Sequence, residues 1–308
     1  MLNIMIKRTL YFSSPAYLSL RNGQLVYKTP SEGEEKEETV RTIPIEDIGV
    51  VLLDNKQITI THGAIEALLA NNCALITCNH QSMPVGLLLP LEGNTIQHER
   101  FISQIEASLP LRKQLWQQTV KMKIANQAAV LKKHTLTEVG CMKKWAEDVK
   151  SGDTDNLEGR AAVYYWKNVF AGFIPFFVRG REGDPPNNLL NYGYAILRAV
   201  VARALVSSGL LPTLGIHHHN RYNAYCLADD IMEPYRPYVD ELVLNIVRTE
   251  DYTQLTRLQK AQLLSIPTLD VTINGQRSPL MIAVSSTTAS LARCFAGESR
   301  KINYPELS

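Results

Sequence analysis

The chain has 308 residues, of which 45% are hydrophobic and 20% are charged. This composition excludes an intrinsically disordered chain, and the length fits one large domain or two unequal ones. The 32 basic and 30 acidic residues give a formal net charge of +2. Total charge therefore gives no sign of a nucleic-acid partner, which would require basic residues gathered in one region.

The five cysteines are odd in number and form no Cys-x-x-Cys pair, so we expect neither a structural zinc site nor a disulfide framework. At the amino terminus the charged residues follow a short apolar run, which is the wrong order for a secretory signal. We expect no stretch of the chain to be long enough to span a bilayer. These features predict a cytoplasmic protein with no membrane partner.

Residues 1–90 are predicted to form a small domain built mainly of strands. Turn pairs such as Asn22-Gly23 and Asp54-Asn55 separate short runs of β-forming residues. One helix is expected at 62–70, and the acidic run at 31–39 is typical of a solvated hairpin loop. The predicted strands span 9–12, 16–20, 24–27, 40–45, 50–53, 57–60, 74–78 and 85–89.

Beyond residue 90 the pattern changes to long helical segments. The segment at 188–208 is apolar on most sides, with only Arg198 and Arg203 charged, so we expect it to be the central helix. The overall prediction is an α+β fold, with a β-sandwich-like domain at 1–90 and a larger all-α domain at 97–308. The predicted helices span 97–108, 111–134, 137–150, 156–170, 188–208, 229–248, 253–264 and 280–296.

Residues 111–150 are predicted to form a basic helical hairpin, because nine basic residues stand there against three acidic ones. Taken alone, this pattern favours a solvated lysine-rich face. The alternative is a surface that neutralises DNA phosphates and binds in a salt-dependent manner. The lysines that we consider for DNA contact are Lys121, Lys123, Lys132 and Lys133.

Three segments carry the residue types that a metal site needs. Glu158 precedes a helical face made of Ala, Ala, Tyr, Trp and Val at 161, 162, 165, 166 and 169, and a carboxylate there needs a partner such as a cation. The alternative is a capping box between Asp155 and Glu158. Tyr165 on the same face could contact DNA, although a core aromatic residue is at least as good an interpretation.

The second and third segments are a histidine run and an acidic pair. Side chains of consecutive residues such as His217, His218 and His219 point in different directions, so we expect one or two of them to function. Asp230 and Glu233 are three positions apart and could present two carboxylates on one helical face. The alternative is a pair of acidic residues at a helix start, which the helix dipole favours.

Together these segments resemble the Cas1 family, the CRISPR-associated integrases of the adaptation step. The resemblance covers essentially the whole chain, including a β domain followed by a helical domain. The blocks that carry it are EGRAAVYYW at 158–166, DPPNNLLNYGY at 184–194, GIHH at 215–218 and LADDIMEPYRP at 227–237.

Carried over from the family, the catalytic, metal-binding triad falls on Glu158, His218 and Glu233, with Asp230 as an auxiliary acidic residue. Two carboxylates and one imidazole suit Mg or Mn. The resemblance implies a metal-dependent endonuclease and integrase, in which the 3′-hydroxyl of a captured DNA fragment attacks a phosphodiester at the end of a CRISPR repeat. His218 could act as a ligand or as a proton acceptor.

The resemblance also implies partners: double-stranded DNA, a homodimer formed through the β domains, and a larger complex with the small protein Cas2. The short chain and the histidine run look most like variants from systems with a Cas9-type effector. Two other functions stay open from the residues alone. One is a metal-dependent nuclease acting on branched or repair DNA, and the other is a noncatalytic DNA-binding scaffold.

Overall fold

The computed structural model describes residues 7–29 and 39–307. The chain divides into two compact units, Met1–Gly93 and Asn94–Ser308. Most of the acidic run for which we predict a hairpin loop lies outside the described residues. Strands dominate the described part of the first unit and helices dominate the second, so the α+β class predicted from the sequence is correct.

Among residues 7–29 and 39–93, the strands form two four-stranded sheets, ordered β1-β5-β7-β8 and β4-β3-β2-β6. The first sheet is parallel except for β8, and the second is antiparallel except for the β2–β6 pair. The elements are β1 (Arg8–Phe12), β2 (Ala16–Arg21), β3 (Gln24–Thr29), β4 (Thr39–Pro44), β5 (Ile48–Leu53), β6 (Ile58–Ile60), α1 (His62–Ala70), β7 (Ala74–Cys78) and β8 (Pro84–Leu88).

Both sheets and α1 contribute buried side chains to one hydrophobic cluster, which includes Leu25, Val51 and Leu68. Asn22 and Gly23 both have positive φ, 50° and 70°. Such backbone angles produce the tight two-residue turn that joins β2 to β3 with the right strand twist. The turn predicted from the sequence at Asn22-Gly23 is therefore confirmed. A sandwich-like packing of the two sheets stays a prediction.

The second unit consists mainly of helices, but the prediction that it is all α is wrong. A small antiparallel sheet, ordered β10-β9-β11, lies near its carboxyl end. The elements are α2 (Gln97–Ile105), α3 (Leu109–His134), α4 (Gly140–Asp148), α5 (Leu157–Val169), α6 (Asn187–Ser207), α7 (Cys226–Met232), α8 (Arg236–Thr249), α9 (Arg257–Leu263), β9 (Asp270–Ile273), β10 (Gln276–Pro279), α10 (Leu280–Phe295) and β11 (Pro305–Glu306).

Two local features explain where the predicted helices of this unit differ from the observed ones. Asn274 and Gly275 have φ of 51° and 75° and form the β9–β10 hairpin turn, a signal that the short flanking strands obscured. The single helix predicted at 229–248 is divided by a 3₁₀ turn, Glu233–Tyr235. Pro234 and Pro237 lack backbone N–H groups and are favoured only at helix starts, so they set the beginning of α8.

The helix α6 is the centre of the second unit, as predicted, because most of its residues are buried. Its 21 residues, with a mean hydropathy of 1.3 over the most apolar window, are long and apolar enough to cross a membrane. This corrects our expectation that no stretch has that length. Because 78% of that window is buried inside the protein, its apolar side chains are accounted for by packing in the core.

Candidate metal centre

The first turn of α5 holds Glu158. The backbone N–H groups of Leu157 and Glu158 donate to the two carboxylate oxygens of Asp153, at 2.9 and 3.0 Å. Asn156, with φ of 51°, is the N-cap and accepts from the third residue of the helix. Since these residues satisfy the exposed donors of the helix start, Glu158 is available for another partner.

The capping box between Asp155 and Glu158, which the sequence left open, does not form. Asp155 instead lies 2.7 Å from the ammonium of Lys150 on the surface. The carboxylate of Glu158 meets a different lysine, Lys123 of α3, whose Nζ donates to Glu158 Oε1 at 2.6 Å. The interpretation of Glu158 as a residue that heads an apolar face and needs a cation is therefore the one that fits the structure.

The ammonium of Lys123 also lies 2.6 Å from Glu233 Oε2, so two carboxylates from different elements converge on one cation. The side chains of Lys123, Glu158 and Glu233 are only 12%, 20% and 6% exposed. Arg236 Nη2 lies 3.0 Å from the other oxygen of Glu233. We call these four residues the charged cluster.

Burial alone would favour the neutral form of Glu233, but the positive charges of Arg236 and Lys123 outweigh it and lower the pKa of this carboxyl group. Burial likewise opposes the charge of Lys123, yet the charges of Glu233 and Glu158 raise its pKa. Glu233 and Lys123 are therefore both ionised at neutral pH. Among the described residues, Glu233 Oε2 has no hydrogen bond despite its short distance to Lys123, so this contact is an ion pair with poor alignment.

The loop at 215–220, which we call the histidine loop, is held by the fully buried Asp230 of α7. Asp230 accepts from the backbone N–H groups of His217 and His218, at 2.9 and 3.3 Å, and its Oδ1 lies 2.5 Å from His218 Nδ1. A Cβ atom at Gly215 would lie 2.3 Å from the carbonyl oxygen of His218 and 2.9 Å from Asp230 Oδ2. The loop can therefore close on Asp230 in this way only with glycine at position 215.

The hydrogen bond to Asp230 is the largest influence on the His218 imidazole and raises its pKa, although burial acts in the opposite direction. The charges of Glu233 and Glu158 add to this increase, so His218 lies within electrostatic reach of both carboxylates. A carboxylate that fixes Nδ1 leaves Nε2 as the ring nitrogen for a ligand. This is the usual arrangement around metal-binding histidines.

The two neighbouring histidines have different surroundings. His217 stacks on the ring of Trp116, with centroids 4.2 Å apart and planes 3° from parallel. Partial burial lowers its pKa, and the charge of His218 lowers it further. His219 is exposed. Of the three histidines, His218 is the one whose ring nitrogen is held by a buried carboxylate, which supports the choice of His218 as the predicted ligand.

The predicted triad fits a divalent cation in its chemistry. Glu158 and Glu233 already share one cation, Glu233 Oε2 is buried without a hydrogen bond, and His218 supplies an oriented imidazole. Oxygen-rich donor sets of this kind suit Mg or Mn. Within 7–29 and 39–307, no three His, Cys, Asp or Glu side chains are arranged to hold an ion as they stand. The ammonium of Lys123 occupies the space between the two carboxylates.

Two of the residues predicted to contact DNA have other positions. Tyr165 is completely buried, and its hydroxyl donates to Asp240 Oδ2 at 3.1 Å, so the core interpretation applies and direct contact with DNA does not fit. Lys123 faces the two glutamates and is nearly buried, which is also incompatible with a DNA-tracking surface. Lys132 and Lys133 are exposed near the end of α3, where the basic surface stays a prediction together with the half-buried Lys121.

Sequence reasoning missed the partners of these residues. Arg236 stands in the quoted EPYRP block but received no role. Asp240 accepts hydrogen bonds from Tyr165 and Tyr194, and burial raises its pKa to about 7. The inward position of Lys123 could have been found, because it continues the i, i+3 and i+4 spacing of buried residues of α3 at 116, 119, 120 and 127.

Comparisons with known proteins identify the family of this chain. The family model described as CRISPR associated protein Cas1 matches residues 10–266. A relative from Neisseria meningitidis serogroup C, named CRISPR-associated endonuclease Cas1, is 33% identical over 304 residues, which cover 97% of this chain and 96% of the relative.

Two solved structures share the fold. The first, a casposase bound to integration product, has a TM-score of 0.76 at 20% identity and covers 97% of this chain and 92% of that chain. The second, a Cas6-RT-Cas1–Cas2 complex, has a TM-score of 0.71 at 20% identity and covers 98% of this chain and 36% of that chain. With the family model matching most of its length, the chain belongs to the Cas1 family of CRISPR-associated proteins.

Proposed function

We propose that this protein is a metal-dependent DNA endonuclease and strand-transfer integrase that inserts captured DNA fragments into a CRISPR repeat array. The observation that carries the proposal is the convergence of Glu158 and Glu233 on one buried cation position, within electrostatic reach of an imidazole that Asp230 orients. The Neisseria relative is named an endonuclease, and the casposase is bound to an integration product. The first name supports the endonuclease activity, and the second supports the integrase activity.

The residues of the triad and their neighbours have different roles at this site. Glu158, His218 and Glu233 would hold Mg or Mn. When bound, the ion would polarise a phosphoryl oxygen and stabilise the attacking and leaving oxygens as a 3′-hydroxyl attacks a phosphodiester. Asp230 keeps the His218 ring in place, so that Nε2 serves as ligand or proton acceptor. Arg236 keeps Glu233 ionised and thereby keeps its oxygens available to a cation.

Double-stranded DNA and Cas2 are the proposed partners. The complex that contains Cas1 and Cas2 supports the second of these. We further propose that the first unit forms the homodimer contact, that the protein acts in the cytoplasm, and that it serves a system with a Cas9-type effector. Lys121, Lys132 and Lys133 are proposed to track the DNA backbone, because phosphate contacts by lysine need no base specificity.

The deciding experiment supplies labelled DNA fragments with free 3′ ends and a plasmid that contains a repeat, in the presence of Mn²⁺. Joined products support the integrase, whereas only shortened fragments would assign a nuclease that uses water as the nucleophile. His218→Ala is expected to abolish joining, and His219→Ala is the matched control on the same loop. Full joining by His218→Ala with loss in His219→Ala or His217→Ala would move the ligand to another histidine.

The DNA surface has a separate test. Replacing Lys121, Lys132 and Lys133 together by Glu should weaken DNA binding and flatten its salt dependence, by a slope of about 0.9 for each phosphate contact removed. The control is Lys301→Glu, an exposed lysine outside 111–150. Binding is measured by fluorescence anisotropy at several salt concentrations. An unchanged affinity and slope in the triple variant would remove the DNA surface from the proposal.

A further inference from the structure

Lys123 has an environment unlike that of a lysine on a nucleic-acid surface. Its side chain is 12% exposed, and its ammonium lies 2.6 Å from one oxygen of Glu158 and 2.6 Å from one oxygen of Glu233. These two glutamates come from α5 and from the 3₁₀ turn between α7 and α8, so α3 reaches across to both elements at this point. A single ammonium therefore pairs with two carboxylates from separate parts of the unit.

The position of this ammonium is the position that a shared metal ion would need. A cation bound by both glutamates must contact oxygens of each, and Lys123 already contacts Glu158 Oε1 and Glu233 Oε2. The contact with Glu233 is poorly aligned for hydrogen bonding, so the ammonium is an imperfect partner for that oxygen. Two cations cannot share such a space without strong repulsion, because the site is largely shielded from water.

A purely structural role for the ion pairs explains these contacts less well. Arg236 already neutralises Glu233 from the other side, at 3.0 Å, and its planar guanidinium suits a permanent buried pair. Lysine carries a compact charge on a flexible four-carbon chain, which allows the ammonium to leave without moving α3. The charged cluster thus contains the guanidinium of Arg236, which suits a permanent ion pair, and the ammonium of Lys123, which can move away.

We propose that Lys123 is the resident counter-ion of the metal site: its ammonium pairs with Glu158 and Glu233 in the metal-free protein and is displaced when a divalent cation binds. This inference rests on the proposed function, because it takes the two glutamates as metal ligands. It makes Lys123 a positioning residue that sets metal affinity, and it means that the affinity of the wild-type site includes the cost of moving the ammonium.

The test compares Mn²⁺ binding by isothermal titration calorimetry in the wild type, Lys123→Gln and Lys121→Gln. Lys121 is the matched control, because a residue two positions away lies on nearly the opposite side of the same helix. Removing the competing ammonium should tighten Mn²⁺ binding at least about tenfold, whereas Lys121→Gln should leave it unchanged. Equal affinities in the wild type and Lys123→Gln would overturn the inference while leaving the metal centre intact.

Absence of Mn²⁺ binding in all three proteins would overturn the metal centre of the proposed function and this inference with it. Where Lys123→Gln fails to fold without metal, a measurement on the wild type replaces it. Acylation of lysine amines, followed by mass spectrometry at low conversion, reports how accessible each ammonium is. The rate at Lys123 should rise severalfold with saturating Mn²⁺, and the rate at Lys121 should not. An unchanged or lower rate at Lys123 would overturn the proposal.

Discussion

Two groups of buried carboxylates in the second unit respond to the loss of water in opposite ways. In the charged cluster, Arg236 and Lys123 overcome the effect of burial and lower the pKa of Glu233. Around Asp240 the immediate partners are the hydroxyls of Tyr165 and Tyr194, and burial raises the pKa of this carboxyl group to about 7. We call Asp240 and the two tyrosines the hydroxyl cluster.

The two clusters are neighbours. Helix α5 contributes Glu158 to one and Tyr165 to the other, and the guanidinium of Arg236 lies 4.7 Å from the centre of the Tyr194 ring. Keeping a charge buried is costly unless it is closely paired, so the fold keeps ionised oxygens where a cation can use them. A few ångströms away, hydroxyls are sufficient because the carboxyl group there only joins helices. The difference separates the candidate catalytic site from the supporting core.

The largest expected effect follows directly from this separation. Glu158→Ala, His218→Ala and Glu233→Ala should each lower Mn²⁺-dependent strand transfer by at least about a hundredfold, because each removes a proposed ligand of the ion that would stabilise charge developing in the reaction. Asp240→Asn, in the hydroxyl cluster, should retain most of the activity. The measurement is the rate of joining of labelled fragments to a plasmid with a repeat.

Circular dichroism and thermal melting control for folding in all four variants. The comparison fails if folded Asp240→Asn is as inactive as folded Glu233→Ala, because the two clusters would then share one role. It also fails if Glu158→Ala joins fragments at the wild-type rate.

A smaller effect is expected at Asp230, which holds His218 without belonging to either cluster. Asp230→Asn should weaken Mn²⁺ binding by about 10- to 100-fold, as is typical when the carboxylate behind a ligating histidine is lost. Because Asp230 raises the pKa of His218, and binding requires the neutral ring, wild-type affinity should increase as pH rises through that raised pKa. In the variant this increase should occur at lower pH.

Titration calorimetry with Mn²⁺ between about pH 5.5 and 8 measures both effects, since the imidazole changes charge in that range. Asp229→Asn is the matched control, because the side chain of Asp229 pairs with Arg198 and Asn223 instead of with His218. The same pH dependence in Asp230→Asn and the wild type would show that Asp230 does not act through His218.

Much of this organisation could be predicted from the sequence because it depends on local patterns. Alternating short strands with turn pairs indicated the first unit, and the apolar segment at 188–208 indicated the central helix. The proposed metal triad came from the resemblance of the acidic and histidine blocks to a family. In each case neighbours along the chain carry the signal.

The remainder depends on contacts between distant segments, which local patterns do not contain. The ion pairs of Lys123 join positions 35 and 110 residues apart, so helical spacing could place this lysine on the inner face of α3 but could not identify its two partners. The helix cap at Asp153 and Asn156 depends on two residues with positive φ, and the Asp155–Glu158 pattern pointed to a different cap. The sequence left Tyr165 open between a core residue and a DNA contact, because its hydroxyl partner, Asp240, lies 75 residues away.

The smallest expected effect tests the hydroxyl cluster through stability instead of activity. The pKa of Asp240 is about 7 in the folded protein, against an ordinary value of 3.8. Between these values the unfolded chain releases a proton that the folded protein keeps, so this group lowers the free energy of unfolding as pH rises. The slope is at most about 1.4 kcal/mol per pH unit. Above the pKa of Asp240 in the folded protein, this contribution to the free energy of unfolding no longer changes with pH.

Asp240→Asn removes this titration while keeping a polar group that can bond to both tyrosines. The free energy of unfolding of the variant should therefore fall less than that of the wild type between about pH 4.5 and 7, and the variant should gain relative stability as pH rises. Urea denaturation at several pH values gives the difference, with the exposed Asp270→Asn as the control. Parallel pH profiles for wild type and Asp240→Asn would mean that Asp240 is ionised in the folded protein, and that both buried clusters keep their charge.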